Sequence, residues 1–166
     1  MLIECTKKLA DAMKVQLIDI ELIHKPFYEW HANLFLFDRR RGVILMNNAT
    51  RYCIVLYGLR AVHLKNFNSI ALSAIEETFI AEGLSQNKVD KYMENCGSVV
   101  FTKTHDRRIL SQINEFLISI TWEIEYHLPS ENLSLVTLNK WAGKLMCGTL
   151  GYVYPIDLLK KEIEKL

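Results

Sequence analysis

Of 166 residues, 50% are hydrophobic and 23% charged, with only 3 Pro and 7 Gly, so the chain is folding material, not disordered or fibrous. That length suits one domain, able to remove roughly two thirds of its unfolded surface from water. Twenty Lys and Arg against 19 Asp and Glu leave a net charge of +1, which excludes nucleic-acid binding through bulk charge and leaves only a local basic patch.

In chain order, residues 1–5 read as a short strand, and Thr6 is placed to cap a helix over 7–13 with Leu9, Ala12 and Met13 inward. Pro26 punctuates a connection. From Tyr28 to Gly58 the pattern predicts three strands joined by tight turns, an antiparallel meander. Leu34–Phe37 is apolar on both faces and is expected centrally in the sheet. Gly42 is expected to supply the positive φ of the first turn, after Asp38, Arg39, Arg40 and Arg41; Asn47-Asn48-Ala49 forms the second.

Residues 67–82 predict a helix with Ile70, Ala74, Ile75, Phe79 and Ile80 buried and Gly83 as its stop. Ser85 caps a shorter helix carrying Val89, Tyr92 and Met93. Val99–Phe101 is a brief strand, followed by a long helix over about 107–127, capped by Thr104 or Asp106, with Leu110, Ile113, Leu117, Ile120 and Ile124 inward. Pro129-Ser130-Glu131-Asn132 is the one expected boundary. Beyond it, Pro155 opens a last helix with Ile156, Leu159, Ile163 and Leu166 on one edge. The expected class is α+β: an antiparallel meander packed against several helices, with a core over 1–128 and a dependent helical appendage over 129–166.

No apolar run approaches the about 20 residues of a membrane span, and the N-terminal residues lack the features of an export signal. Cytoplasmic residence is expected. Cys5, Cys53, Cys96 and Cys147 are far apart and read as buried, reduced thiols. His24, His31, His63, His105 and His127 are equally scattered, so neither a zinc site nor any cofactor is expected.

Three groups carry candidate chemistry. His31 and Asn33 in Trp30-His31-Ala32-Asn33 share one strand face, and polar side chains there need partners: a ligand, or a neighbouring loop. Around Lys103, Thr104 and Arg107 a strand ends and a helix begins, where free N–H groups and cations suit an anion; Ser111 and Asn114 follow on nearly the same helix face. Arg39, Arg40 and Arg41 with Lys7, Lys8 and Arg51 would make a phosphate-binding patch if they converge, with Tyr28, Trp30 and Tyr52 as stacking faces. Common hydrolase, metalloprotease and dinucleotide motifs are absent.

At Cys5-Thr6-Lys7-Lys8-Leu9, Trp30-His31-Ala32-Asn33-Leu34, Asp38-Arg39-Arg40, Gly58-Leu59-Arg60 and Lys103-Thr104-x-x-Arg107, the chain resembles a family of small bacterial proteins whose members carry a domain of unknown function. The resemblance covers most of 1–127. It implies a shared α+β fold in a bacterial cytoplasm and supplies no activity, cofactor or catalytic residue. A Leu138-Asn139 … Leu150-Gly151-Tyr152-x-x-Pro155 pattern is similar to the ends of some transposases, but their acidic catalytic residues are missing, and it is read as turns and caps.

The expected function is a non-catalytic binding or regulatory module for an anionic ligand, a phosphate-containing molecule or nucleic acid, held by Trp30, His31, Asn33, Lys103, Thr104, Arg107 and Asn114. Two alternatives stand beside it. One is a phosphate- or phosphodiester-directed hydrolase using His31, or else His105, as acid or base, with Lys103 and Arg107 as charge stabilisers. The other is a structural homodimer joined through a sheet edge or the last helix.

Overall fold

The computed structural model describes residues 1–19, 25–127 and 133–166. Its sheet has the order β4-β3-β2-β1-β5, built from β1 (Leu2–Cys5), β2 (Glu29–Phe37), β3 (Arg40–Asn47), β4 (Cys53–Leu59) and β5 (Val100–Lys103). The meander β2-β3-β4 is antiparallel, as its tight turns require. β1 instead lies parallel to both β2 and β5, so the sheet is mixed, correcting the purely antiparallel expectation. The reason is connection length. Parallel neighbours need a long crossover, and a helix stands between β1 and β2, as several do between β4 and β5.

Alternation along the strands sends side chains into two cores. Ile3, Cys5, Trp30, Ala32, Leu34, Val43, Leu45, Ile54 and Leu56 face one layer of helices: α1 (Lys7–Met13), α2 (Ala61–Lys65), α3 (Phe67–Ala81), α4 (Gln86–Cys96) and α7 (Pro155–Ile163). Phe35, Ile44, Met46, Cys53 and Val55 face the other, made by α5 (Arg107–His127) and α6 (Leu135–Ala142). β2 is the middle strand, as its two apolar faces demand. The C-terminal helices serve both cores, through Leu138 and Ala142 on one side and Ile156, Leu159 and Ile163 on the other. The expected boundary at Pro129–Asn132 lies outside the described residues, as does His24.

Local differences from the sequence expectation have physical causes. The β2–β3 turn is a two-residue hairpin in which Asp38 (φ 42°) and Arg39 (φ 57°) take the left-handed backbone, not Gly42. Gly42 sits in β3 because a Cβ there would stand 2.2 Å from the Phe35 ring. In the second turn Asn47 stays in the strand, and its Oδ1 accepts from the N–H groups of Ala49 and Thr50 and from the Thr50 hydroxyl. On α5 the buried stripe is Ile109, Gln112, Ile113, Phe116, Ile120 and Ile124, leaving Leu110 and Leu117 half-buried. On α3, Ile80 is exposed. α6 covers the β4 edge, and its Asn139 Oδ1 accepts from Val55 N at 2.7 Å while Nδ2 donates to Thr78 Oγ1.

Candidate functional site

β1 and β5 are parallel neighbours, yet the chain leaves β1 for α1 on one face of the sheet and leaves β5 for α5 on the other. Loops that depart in opposite directions open a crevice outside the carboxyl ends of the strands, where open α/β sheets bind ligands. Thr6 and the segment Lys103–Asp106 form this end of the molecule.

The residue at its centre is Glu4, the one carboxylate in β1, turned toward α5 and only 3% exposed. Its Oε1 accepts from Asn48 Nδ2 at 2.7 Å. Its Oε2 accepts from the backbone N–H of His105 at 3.0 Å and lies 3.0 Å from His105 Nδ1. A carboxylate accepts only, so the imidazole proton sits on Nδ1. His105 is 55% exposed, and its ring is thereby anchored to a buried acid at one nitrogen and open at the other.

His31 stands directly beside Glu4 in register and is 1% exposed. Because Asn48 donates to Glu4 through Nδ2, its Oδ1 faces His31 Nδ1 at 2.8 Å and accepts from it. That leaves Nε2 as an acceptor, 3.4 Å from the backbone N–H of Asp106. Burial pushes the His31 pKa down, against the opposing pull of Asn48, Glu4 and Asp106 and with the help of Arg51. The neutral ring is therefore fully satisfied. Its Nε2 also lies 3.2 Å from Glu4 Oε2, so an added proton would bind between the two.

Arg51 closes the network from the other side. Its Nε donates to Gln112 Oε1 at 2.8 Å, its Nη1 donates to Asn48 O, and Gln112 Nε2 lies 2.8 Å from Cys147 Sγ.

The sequence-predicted residues divide sharply. His31 and Asn33 share the α5-facing side, and Asn33 Oδ1 accepts from the Thr6 hydroxyl at 3.1 Å. Trp30 points the opposite way, fully buried, with Nε1 donating to Tyr92 OH at 3.0 Å, so it is a core residue and not a ligand contact. Lys103 follows Phe101 on the α1 side of the sheet, away from His31, with its ammonium 3.3 Å from Asp19. Thr104 is half-buried in the connection, while Arg107 and Asn114 are exposed on α5. Asp106, not Thr104, caps α5, its Oδ1 accepting from Arg108 N at 2.8 Å.

The amides expected to meet an external anion are in part spent on the protein's own groups, Glu4 and His31. The wider basic patch does not converge either. Arg51 is tied to α5, and Tyr52, like Trp30, is in the core.

Sequence reasoning missed Glu4, and it held His105 only as an alternative to His31 for acid–base work. A lone Glu within Leu2-Ile3-Glu4-Cys5 was the available signal, since a carboxylate in an otherwise apolar strand must find donors. Burial pushes the Cys5 and Cys53 thiols up to about 12 and the Cys96 thiol up to about 11, so none of these three is a ready nucleophile. Among the described residues no group of His, Cys, Asp and Glu could hold a metal ion. No helix among them is long and apolar enough to cross a membrane.

No curated protein matches the chain. A family model does, over residues 2–158, and its description is "Domain of unknown function (DUF6933)". The match takes in β1 with Glu4, the crevice and the first turn of α7, so this chain belongs to that family of unknown function.

Proposed function

We propose that the protein is a binding or regulatory module for an anionic, phosphate-bearing ligand, seated at the crevice between the carboxyl ends of β1 and β5. The reading rests on one observation: His105 presents an exposed imidazole locked by Nδ1 to the buried Glu4 carboxylate, at the end of the sheet where α5 begins. Arg107 and Arg108 follow it on α5, exposed and without an ion pair among the described residues. A bacterial cytoplasm is part of the proposal, supported by four buried cysteines, none in a disulfide. Melting temperature with and without inorganic phosphate tests it. Phosphate should raise the melting point of the native protein and fail to do so for Arg107→Ala and His105→Ala. An undiminished shift in both variants overturns the crevice as the site.

A second reading, phosphoester hydrolysis, is favoured by the same carboxylate–imidazole pair. His105, and not the buried His31, would take the proton of a water attacking phosphorus, the P–O ester bond would break, and that proton would pass to the departing alcohol. Turnover of p-nitrophenyl phosphate that is lost in His105→Ala separates this from simple binding. A structural homodimer through the β4 edge has less support, because α6 covers that edge and Asn139 takes up its Val55 N–H.

A further inference from the structure

At the opposite end of β2, six residues or about 20 Å beyond His31, the hairpin tip and the end of β4 enclose an open groove of about 620 Å³. It is lined by Arg39, Arg40, Arg41 and Arg60, together with the short segment Gly58–Ala61. The β3–β4 ladder slips between Arg41, paired with Leu59, and Gly42, paired with Tyr57. Gly58, at φ 76°, takes up the extra residue, and the resulting bulge bends the strand so that Arg60 shares a groove with the hairpin.

Four guanidinium groups thus border one concavity, and no carboxylate lines it; Asp38, though next in sequence, is not part of the wall. Among the described residues none of the four makes an ion pair. The hairpin holds two non-glycine residues, Asp38 and Arg39, in the left-handed region, a conformation that side chains other than glycine adopt at a cost.

We propose that this groove binds a compact ligand carrying two or three consecutive phosphates. Arg is the side chain that meets phosphate oxygens in bidentate pairs, and all four cations here are Arg. A single orthophosphate leaves most of their charge unneutralised, whereas a diphosphate or triphosphate chain matches it. The volume is that of a small-molecule site. No aromatic side chain lines the groove, so it offers nothing for bases to stack on, and recognition falls on the phosphates. The site is separate from the crevice at the other end of the sheet and stands or falls independently of it.

Titration of the native protein with tripolyphosphate, ATP and orthophosphate, followed by calorimetry, tests the proposal. Tripolyphosphate or ATP should bind at least about tenfold more tightly than orthophosphate. The double variant R41A/R60A, checked for an unchanged melting temperature, should lose at least about tenfold of that affinity, while Lys161→Ala, remote from both sites on α7, should not. Equal affinity for tripolyphosphate and ATP assigns the site to the phosphate chain itself; tighter ATP assigns it to a nucleotide. No binding up to about 1 mM, equal affinity for orthophosphate, an unchanged double variant, or tighter binding of a single-stranded oligonucleotide than of either polyphosphate overturns it.

Discussion

The two ends of the sheet handle charge in opposite ways. At the β1–β5 end, Glu4 is buried and every charged or polar group around it has a partner: His31, His105, Asn48 and the amides ahead of α5. At the hairpin end, four arginines of one sign stand exposed around a groove with no carboxylate in its wall. Water explains the difference. A buried charge left unpaired costs several kcal/mol, so the inner network has to be complete. Exposed like charges repel only weakly through solvent, so a one-sign cluster can persist unneutralised and stay available to a ligand. The inner site is therefore structurally committed and reaches solvent through His105. The outer one is committed to nothing within the described residues.

Removing Glu4 should break this contrast most severely. Glu4→Ala leaves the His105 imidazole, the His105 backbone N–H and the Asn48 side-chain amide without their acceptor and should cost about 2–3 kcal/mol in urea unfolding. Glu4→Gln, which keeps the shape, should cost less. Gly42→Ala drives a methyl group into the Phe35 ring and should cost about 1–3 kcal/mol, read as a lowered urea midpoint.

At the inner end acid should act through His31. Because the folded His31 pKa is lowered, the unfolded chain takes up that proton first as the pH falls below about 6.5. Stability should accordingly decrease with falling pH from that value until the folded ring itself titrates, and be independent of this group above it. His31→Gln should flatten that part of the profile when unfolding free energies are compared at about pH 7.5 and about pH 5.5.

The smallest effects belong to the groove. Arg39→Gly relieves the left-handed backbone at φ 57° and should stabilise by up to about 1 kcal/mol. Arg41→Ala should change stability by less than about 0.5 kcal/mol. Losses of several kcal/mol at the groove arginines, or none at Glu4, would reverse the comparison.

Periodicity reports which face of an element is apolar, and for this chain that determined much. The amphipathic helix at 107–127, the meander through 58 and the helix at 7–13 correspond to observed elements, whereas Thr6 holds the N-cap position but spends its hydroxyl on Asn33 and not on α1. Periodicity also placed His31 and Asn33 on one face, with Ala32 and Leu34 on the other. A local pattern could not show that β1 runs parallel between β2 and β5, because strand order depends on contacts between residues about a hundred positions apart. That single placement sets Glu4 beside His31 and beneath His105, sends Lys103 to the far face, and opens the crevice. The arginine groove was half legible: the run Arg39–Arg41 is visible in one line of sequence, but Arg60 joins it only through a bulge that ladder register decides. Side-chain type and spacing thus determined which residues are buried and which are polar. Long-range backbone pairing alone decided which polar groups meet, because a buried charge is tolerated only where distant chain segments supply its partners.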